Sequence, residues 1–278
     1  MKTIIRFRLV CPLWAVFSAL VVVLALSVGP ALAADKTPAA TSAEQDLEAT
    51  AIFYKMADFI AKAPVFSVTI RSGYDAIQPN GQRIEFGGNH QVLLHRPAGL
   101  RVDAERSDGD RGLVLFDGKG ITAFKAIDNV YARVEKAGTV DDAIVYLVRD
   151  LQITLPLARM FLTSFPKDMK TKVTSIDYVE ENFLFDVPTD HLAVRSADVD
   201  LQIWIAQGEQ PLPRRIIITY KNAPGAPQFR ADLSDWDLSP KVAADSFAFN
   251  PRPGAEQVPF MAPVRQKGSL PMPKGDQQ

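Results

Sequence analysis

Two hydrophobic periods alternate along this chain, and their order sets out the fold. Ser42 and Gln45 form a capping-box pair, after which Leu47, Ile52, Met56, Phe59 and Ile60 recur at helical spacing until Pro64. A period of two then takes over. Segments 66–77 and 83–95 read as strands joined at Pro79-Asn80-Gly81, with Gly87-Gly88 predicting a bulge or bend inside the second. Segments 100–105, 112–116, 121–126 and 130–134 continue the meander through Asp- and Gly-rich turns.

Helical spacing returns at Thr139 and Asp142, with Val140, Ala143, Ile144, Leu147 and Val148 on the apolar face. Pro156 is expected to open a second short helix through Leu157, Met160, Phe161 and Leu162, stopped by Pro166. Strands resume at 171–179, 182–187 and 191–195, then in a hairpin over 198–220, and at 228–236. In the hairpin Leu201, Ile203 and Ile205 alternate with Gln202 and Trp204. Residues 208–213 make the turn, and Ile216, Ile217 and Ile218 return. Trp204 and Ile217 lie off the Leu201/Ile203/Ile205 pattern, so both faces of this hairpin carry something large. Such a sheet needs cover on both faces, or a concave face holding a greasy partner. The whole pattern predicts a mainly β (α+β) chain: one highly curved antiparallel sheet, an N-terminal helix, and a helical insertion at about 139–166 plugging the concave side.

The ends read differently. Lys2, Arg6 and Arg8 precede an apolar run over 9–28 and Ala31-Leu32-Ala33, which predicts a secretory signal peptide over 1–33; an uncleaved anchor is the alternative. A linker over 34–43 leads into a domain over 44–257, and the Pro-rich stretch 258–278 reads as an extended tail. The one cysteine, Cys11, lies in the signal, so the mature chain has no thiol for a disulfide or a zinc site. Beyond residue 33 there are 28 basic against 32 acidic residues, a balance that argues against nucleic acid. No later run is long enough to span a membrane.

Catalytic motifs are absent from the sequence: no G-x-S-x-G, P-loop, G-x-G-x-x-G or H-E-x-x-H. His90 and His95 are an odd number of positions apart within one strand, which points them to opposite faces. His191 could serve a hydrolytic site or stand as an ordinary surface histidine. Asp108 and Asp110 lack the rest of a calcium loop, and Asp198 and Asp200 read as a solvated strand edge. No cofactor and no metal are expected. The apolar residues that could line a cavity are Trp204, Ile217, Phe116, Phe124 and Leu147, with Met160, Phe161 and Phe165 as a movable cover; core packing is the alternative for each.

Arg96-Pro97-Ala98-Gly99-Leu100-Arg101, Phe116-Asp117-Gly118-Lys119 leading to Phe124, and 245–255 as a closing strand resemble the periplasmic outer-membrane lipoprotein carriers. With QIWI and LPRRIIITYK, the chain most closely resembles a family of predicted periplasmic proteins in that LolA/LolB-like superfamily. The resemblance implies a half-open β-barrel around an apolar cavity, with Arg96 helping to hold a lid. It implies an exported, non-enzymatic binder of a lipid, a lipoprotein acyl chain or a hydrophobic peptide. The alternatives are a sensor or interaction domain for an envelope protein and, more weakly, a hydrolase centred on His191. Fewer aromatic residues after Arg96-Pro97, where Leu100 and Val102 stand, and the Pro-rich tail depart from the carriers. Oligomeric state is not legible in the sequence.

Overall fold

In the computed structural model, residues 42–260 are described, Thr154 and Pro156 excepted. The chain divides into units Met1–Ala39 and Ala40–Gln278, and the described residues all belong to the second. The expected signal peptide and most of the Pro-rich tail lie outside the described residues.

Helix α1 (Ser42–Lys62) buries Ala49, Phe53, Met56 and Ile60, one stripe at three- and four-residue spacing. Of the expected stripe Met56 and Ile60 are buried, but Leu47 is 72% exposed and Phe53 takes the central position. Pro64 follows the helix end, and six antiparallel strands succeed it. These are β1 (Val65–Ile77), β2 (Arg83–His95), β3 (Gly99–Arg106), β4 (Arg111–Phe116), β5 (Gly120–Lys125) and β6 (Val130–Glu135). Pro79-Asn80-Gly81 makes the first turn, Gly81 at φ +82. No bulge occurs at Gly87-Gly88, because β1 and β2 pair without a register shift from Val65↔His95 to Ile77↔Arg83. The two glycines instead admit close backbone approach: a Cβ on Gly87 would meet the Ser72 carbonyl at 3.0 Å, and one on Gly88 that of Glu105 at 3.0 Å.

The insertion is longer than the sequence pattern indicates. Helix α2 (Val140–Arg149) starts on a complete capping box between Thr139 and Asp142. A short 3-10 turn spans Ala158–Phe161, and helix α3 spans Phe165–Lys172. Pro166 therefore opens a helix rather than stopping one, which is the position where its missing N–H costs nothing. The second meander follows: β7 (Val173–Leu184), β8 (Val187–Ser196), β9 (Val199–Ala206), β10 (Pro213–Tyr220) and β11 (Gln228–Asp237). Residues 182–187 are not a separate strand. Phe185 and Asp186, at φ 51 and 61, form the tip of the β7–β8 hairpin. Residues 245–255 are loop, and only β12 (Glu256–Gln257) pairs after them, parallel to β6.

β1 pairs with β11, so the two meanders join into one twelve-stranded sheet running β12-β6-β5-β4-β3-β2-β1-β11-β10-β9-β8-β7. β12 and β7 form its two edges and are not paired with each other, leaving the barrel half-open. Helices and sheet bury a common core on one face, including Phe66, Leu94, Leu100 and Phe116 from strands and Ile144, Leu147 and Phe161 from the insertion. That face is the concave one, since the three helices and the 3-10 turn fill it.

Candidate ligand-binding site

Strand alternation, counted through the register, sorts the side chains into rows. On β1 the inward positions are Phe66, Val68, Ile70, Ser72 and Tyr74. The same rows continue through Leu94, Val92, His90, Gly88 and Phe86 on β2. Where the helices lie, these rows are sealed. Phe161 packs its ring 5.3 Å from that of Phe66, and Phe165 lies 6.4 Å from Phe53. One pocket between sheet and insertion, bounded by Ile70, His90, Val102, Ile144, Leu155 and Phe161 among others, measures about 10 Å3. That is room for about one water. Here the protein's own insertion packs against the concave side of the sheet.

Beyond the insertion the concave face continues uncovered. Tyr74 stacks on Phe86 with centroids 5.9 Å apart, Phe229 pairs with Tyr74, and Ile218 pairs with Phe229. Burial falls along each strand toward this end: Ile216 and Ala231 are buried, Ile218 and Phe229 half-buried, Phe86 exposed. Sequence reading missed this strip, although counting by twos from Ile70 to Tyr74 would have marked it.

A polar latch fastens the insertion. Arg96 Nε donates to the Ala63 carbonyl at 3.2 Å, Nη1 to Asp141 Oδ1 at 2.9 Å and Nη2 to the Phe161 carbonyl at 2.6 Å. One guanidinium thus joins the end of α1, the first turn of α2 and the 3-10 turn. Asp141 also accepts from the Thr163 backbone N–H at 2.9 Å and from its hydroxyl. Asp141 went unnoticed beside the capping residue Asp142; its only signal was an acid in a helix first turn.

The other expected site residues separate by face. Phe116, Leu147, Met160 and Phe161 are in the core, with Phe165 packed against it. Phe124 is not an interior residue. It is paired across the sheet with Leu113 and Tyr131 on the outer face, and packs on Phe249 at 6.0 Å under Arg252. Trp204 and Ile217 are outer-face residues too, because their partners Arg215 and Arg230 point away from the helices with Asp232. Their large outer side chains need no interior guest: Trp204 is covered by His191, stacked at 3.9 Å, and Ile217 stands half-buried on the outer face.

His191 is buried, with Nε2 3.2 Å from Gln202 Oε1 and Nδ1 3.7 Å from Glu180 Oε1. Burial lowers its pKa, opposed by Gln202 and Glu180. His90 is likewise lowered by burial. Asp108 closes a turn by accepting from the Asp110 N–H at 3.1 Å. Asp198 and Asp200 take separate partners, Asn222 and Lys221. Among the described residues no group of His, Cys, Asp and Glu could hold a metal, and no helix is long and apolar enough to cross a membrane.

Among curated proteins none matches the chain. Solved structures similar to it include a LolA superfamily protein from Nitrosomonas europaea (14% identity, TM-score 0.36, covering 72% of this chain and 97% of that one). The Mycobacterium tuberculosis lipoprotein LppX is 14% identical at TM-score 0.42, over 71% of this chain and all of that one. The Pseudomonas aeruginosa MucA/MucB complex contains a chain 15% identical at TM-score 0.41, over 73% of this chain; the match spans 61% of that chain's length. Identities and scores this low do not carry a function across. The family match is of another kind, covering residues 49–261 and so nearly the whole described sheet with its insertion: the chain belongs to the family of predicted periplasmic proteins DUF2092.

Proposed function

We propose that the protein is a non-enzymatic periplasmic binding module that takes an apolar chain along its concave face. Its ligand would be a lipid, a lipoprotein acyl chain or a hydrophobic peptide. Entry begins at the uncovered strip formed by Tyr74, Phe86, Phe229 and Ile218, and continues inward as segment 157–165 is displaced. The observation that carries this reading is the latch. A helical insertion that completes the core by its apolar side is tied to the sheet's rim by one guanidinium at three acceptors. Each CH₂ of an acyl chain moved out of water gains ~0.8 kcal/mol, so a chain of ordinary length could offset the exposure of Phe161 and its neighbours.

The test is mass spectrometry of an organic extract of natively purified protein, followed by palmitate addition to the delipidated protein. Binding to the folded state should raise the melting temperature in a concentration-dependent way. An empty extract with no thermal shift for fatty acid or phospholipid would refute the reading.

A second reading, a protein-interaction domain, draws on the edge strand β7, where Val179, Phe183 and the hairpin-tip Phe185 are exposed. It predicts a co-purifying polypeptide that Phe183→Lys releases. The weaker hydrolase reading would require His191→Ala to abolish turnover of an ester or glycan; the flat stack of His191 on Trp204 supports packing instead.

A further inference from the structure

We propose that the outer face of the sheet carries a second site, for an oxyanion (a carboxylate or phosphate group) held between Arg71 and Arg215. A groove of about 430 Å3 crosses β1, β11 and β10 on the side away from the helices, lined by these two arginines, Glu85, Ile217, Arg230 and Asp232. Its volume lies in the range of small-ligand sites. Arg71 and Arg215 are register partners of the same residue, Asp232, approached from opposite sides. Their Cα atoms are therefore about 10 Å apart, two strand spacings, close enough for two long side chains to converge on one group.

The charges of the groove do not cancel. Arg230 is bonded to Asp75 and Glu85, and Arg83 is bonded to Asp75 as well. Arg215 uses only Nε, at 2.6 Å from Asp232 Oδ1, which leaves both of its terminal nitrogens without an acceptor among the described residues. Arg71 is exposed, and its guanidinium has no hydrogen bond or ion pair among the described residues. Two guanidinium groups with one carboxylate between them leave one positive charge unmatched.

Arg215 is also held in place. Its guanidinium lies 5.5 Å from the Phe185 ring and 6.0 Å from that of Trp204, so the fork is oriented before any ligand arrives. At Gly73 the groove floor is bare; a Cβ there would come within 2.9 Å of Glu85 Oε1. Planar forks of this kind suit the paired oxygens of carboxylate and phosphate. Ile217 beside them offers contact to an apolar substituent.

The test uses the folded full-length protein at constant ionic strength. Inorganic phosphate and acetate are titrated separately while the arginine Nε–Hε signals are followed by NMR. The expected result is a saturable shift at Arg71 and Arg215 with at least one of the anions. Arg71→Ala and, separately, Arg215→Gln should each weaken binding tenfold or more with the circular-dichroism spectrum unchanged. Flotation with phosphatidylglycerol against phosphatidylcholine vesicles identifies the source. Arg71-dependent retention on the former assigns a lipid headgroup, and its absence beside phosphate or acetate binding assigns a soluble anion. Absence of saturable shifts with both anions together with no vesicle retention, or binding undiminished in both variants, would overturn the proposal. The site lies across the sheet from the interior cradle, so either reading can fail without the other.

Discussion

Replacing Arg96 with methionine keeps most of the side-chain volume and removes the latch. Arg96 is only 14% exposed and Asp141 25%, so the pair is shielded from much of the solvent screening that weakens surface ion pairs. Breaking one partner of a buried pair costs about 3–5 kcal/mol, and each hydrogen bond to a charged group is worth about 1.5–3 kcal/mol. The lower end applies, because Asp141 retains its bonds from Thr163. Detachment of segment 158–163 should thus become easier by about 3 kcal/mol, on the order of a hundredfold in its opening equilibrium. Native-state hydrogen exchange reads this directly, with the Thr163 amide that donates to Asp141 as reporter. Exchange should accelerate at 160–163 well beyond any change in β1 and β2, and palmitate should bind faster. Unchanged exchange at these amides would mean that apolar packing alone seats the insertion. Equal acceleration throughout the sheet would mean that Arg96 supports only global stability.

Three further outcomes follow from other parts of the molecule. Phe53→Ala should cost about 3–5 kcal/mol in denaturant unfolding, while Leu47→Ala should stay within about 0.5 kcal/mol; similar losses would refute the observed facing of α1. Asp75 is almost wholly buried; burial alone would raise its pKa, but bonds from Arg230 and the Gln228 N–H, with the charges of Arg230 and Arg83, outweigh it and hold it below the ordinary 3.8. Its stabilisation should be complete above that value and lost as pH falls through the lower folded one, and Asp75→Asn should remove it, at a cost of about 3 kcal/mol near neutral pH. Burial lowers His90 and His191 below about 6.5, so the unfolded chain takes up protons that the folded chain refuses. The melting temperature should therefore be flat above pH 6.5 and fall on acidification below it, less steeply in His191→Gln; a protein more stable at pH 5.5 than at 7.5 would contradict the burial of both rings.

Local chemistry made much of the fold legible. The two meanders follow from apolar alternation broken by turn residues, and the Thr139–Asp142 capping box marked α2 to the residue. Two failures bear on the insertion and the site. Pro166 reads as a stop in sequence yet opens α3, because a proline ends a helix from inside but is tolerated in its first turn, and local sequence does not distinguish the two. Phe124, Trp204 and Ile217 read as cavity candidates yet lie on the outer face, because a large apolar side chain on a strand can face either way. At Ile217 the alternation itself was read correctly, and only the choice of inner face was missing.

The amino-acid sequence by itself determined most of the strands and their turns, and that one helical insertion separates two runs of them. Only the tertiary structure decided which face curls inward, since that depends on β1 pairing with β11 across most of the chain and on bulges that reset the count, as between Tyr178 and Glu180. It also decided that the interior is closed by Phe161 and fastened by Arg96. Both are contacts between residues distant in sequence, and hydrophobic burial, being non-directional, leaves no local trace of which partner will cover a given side chain.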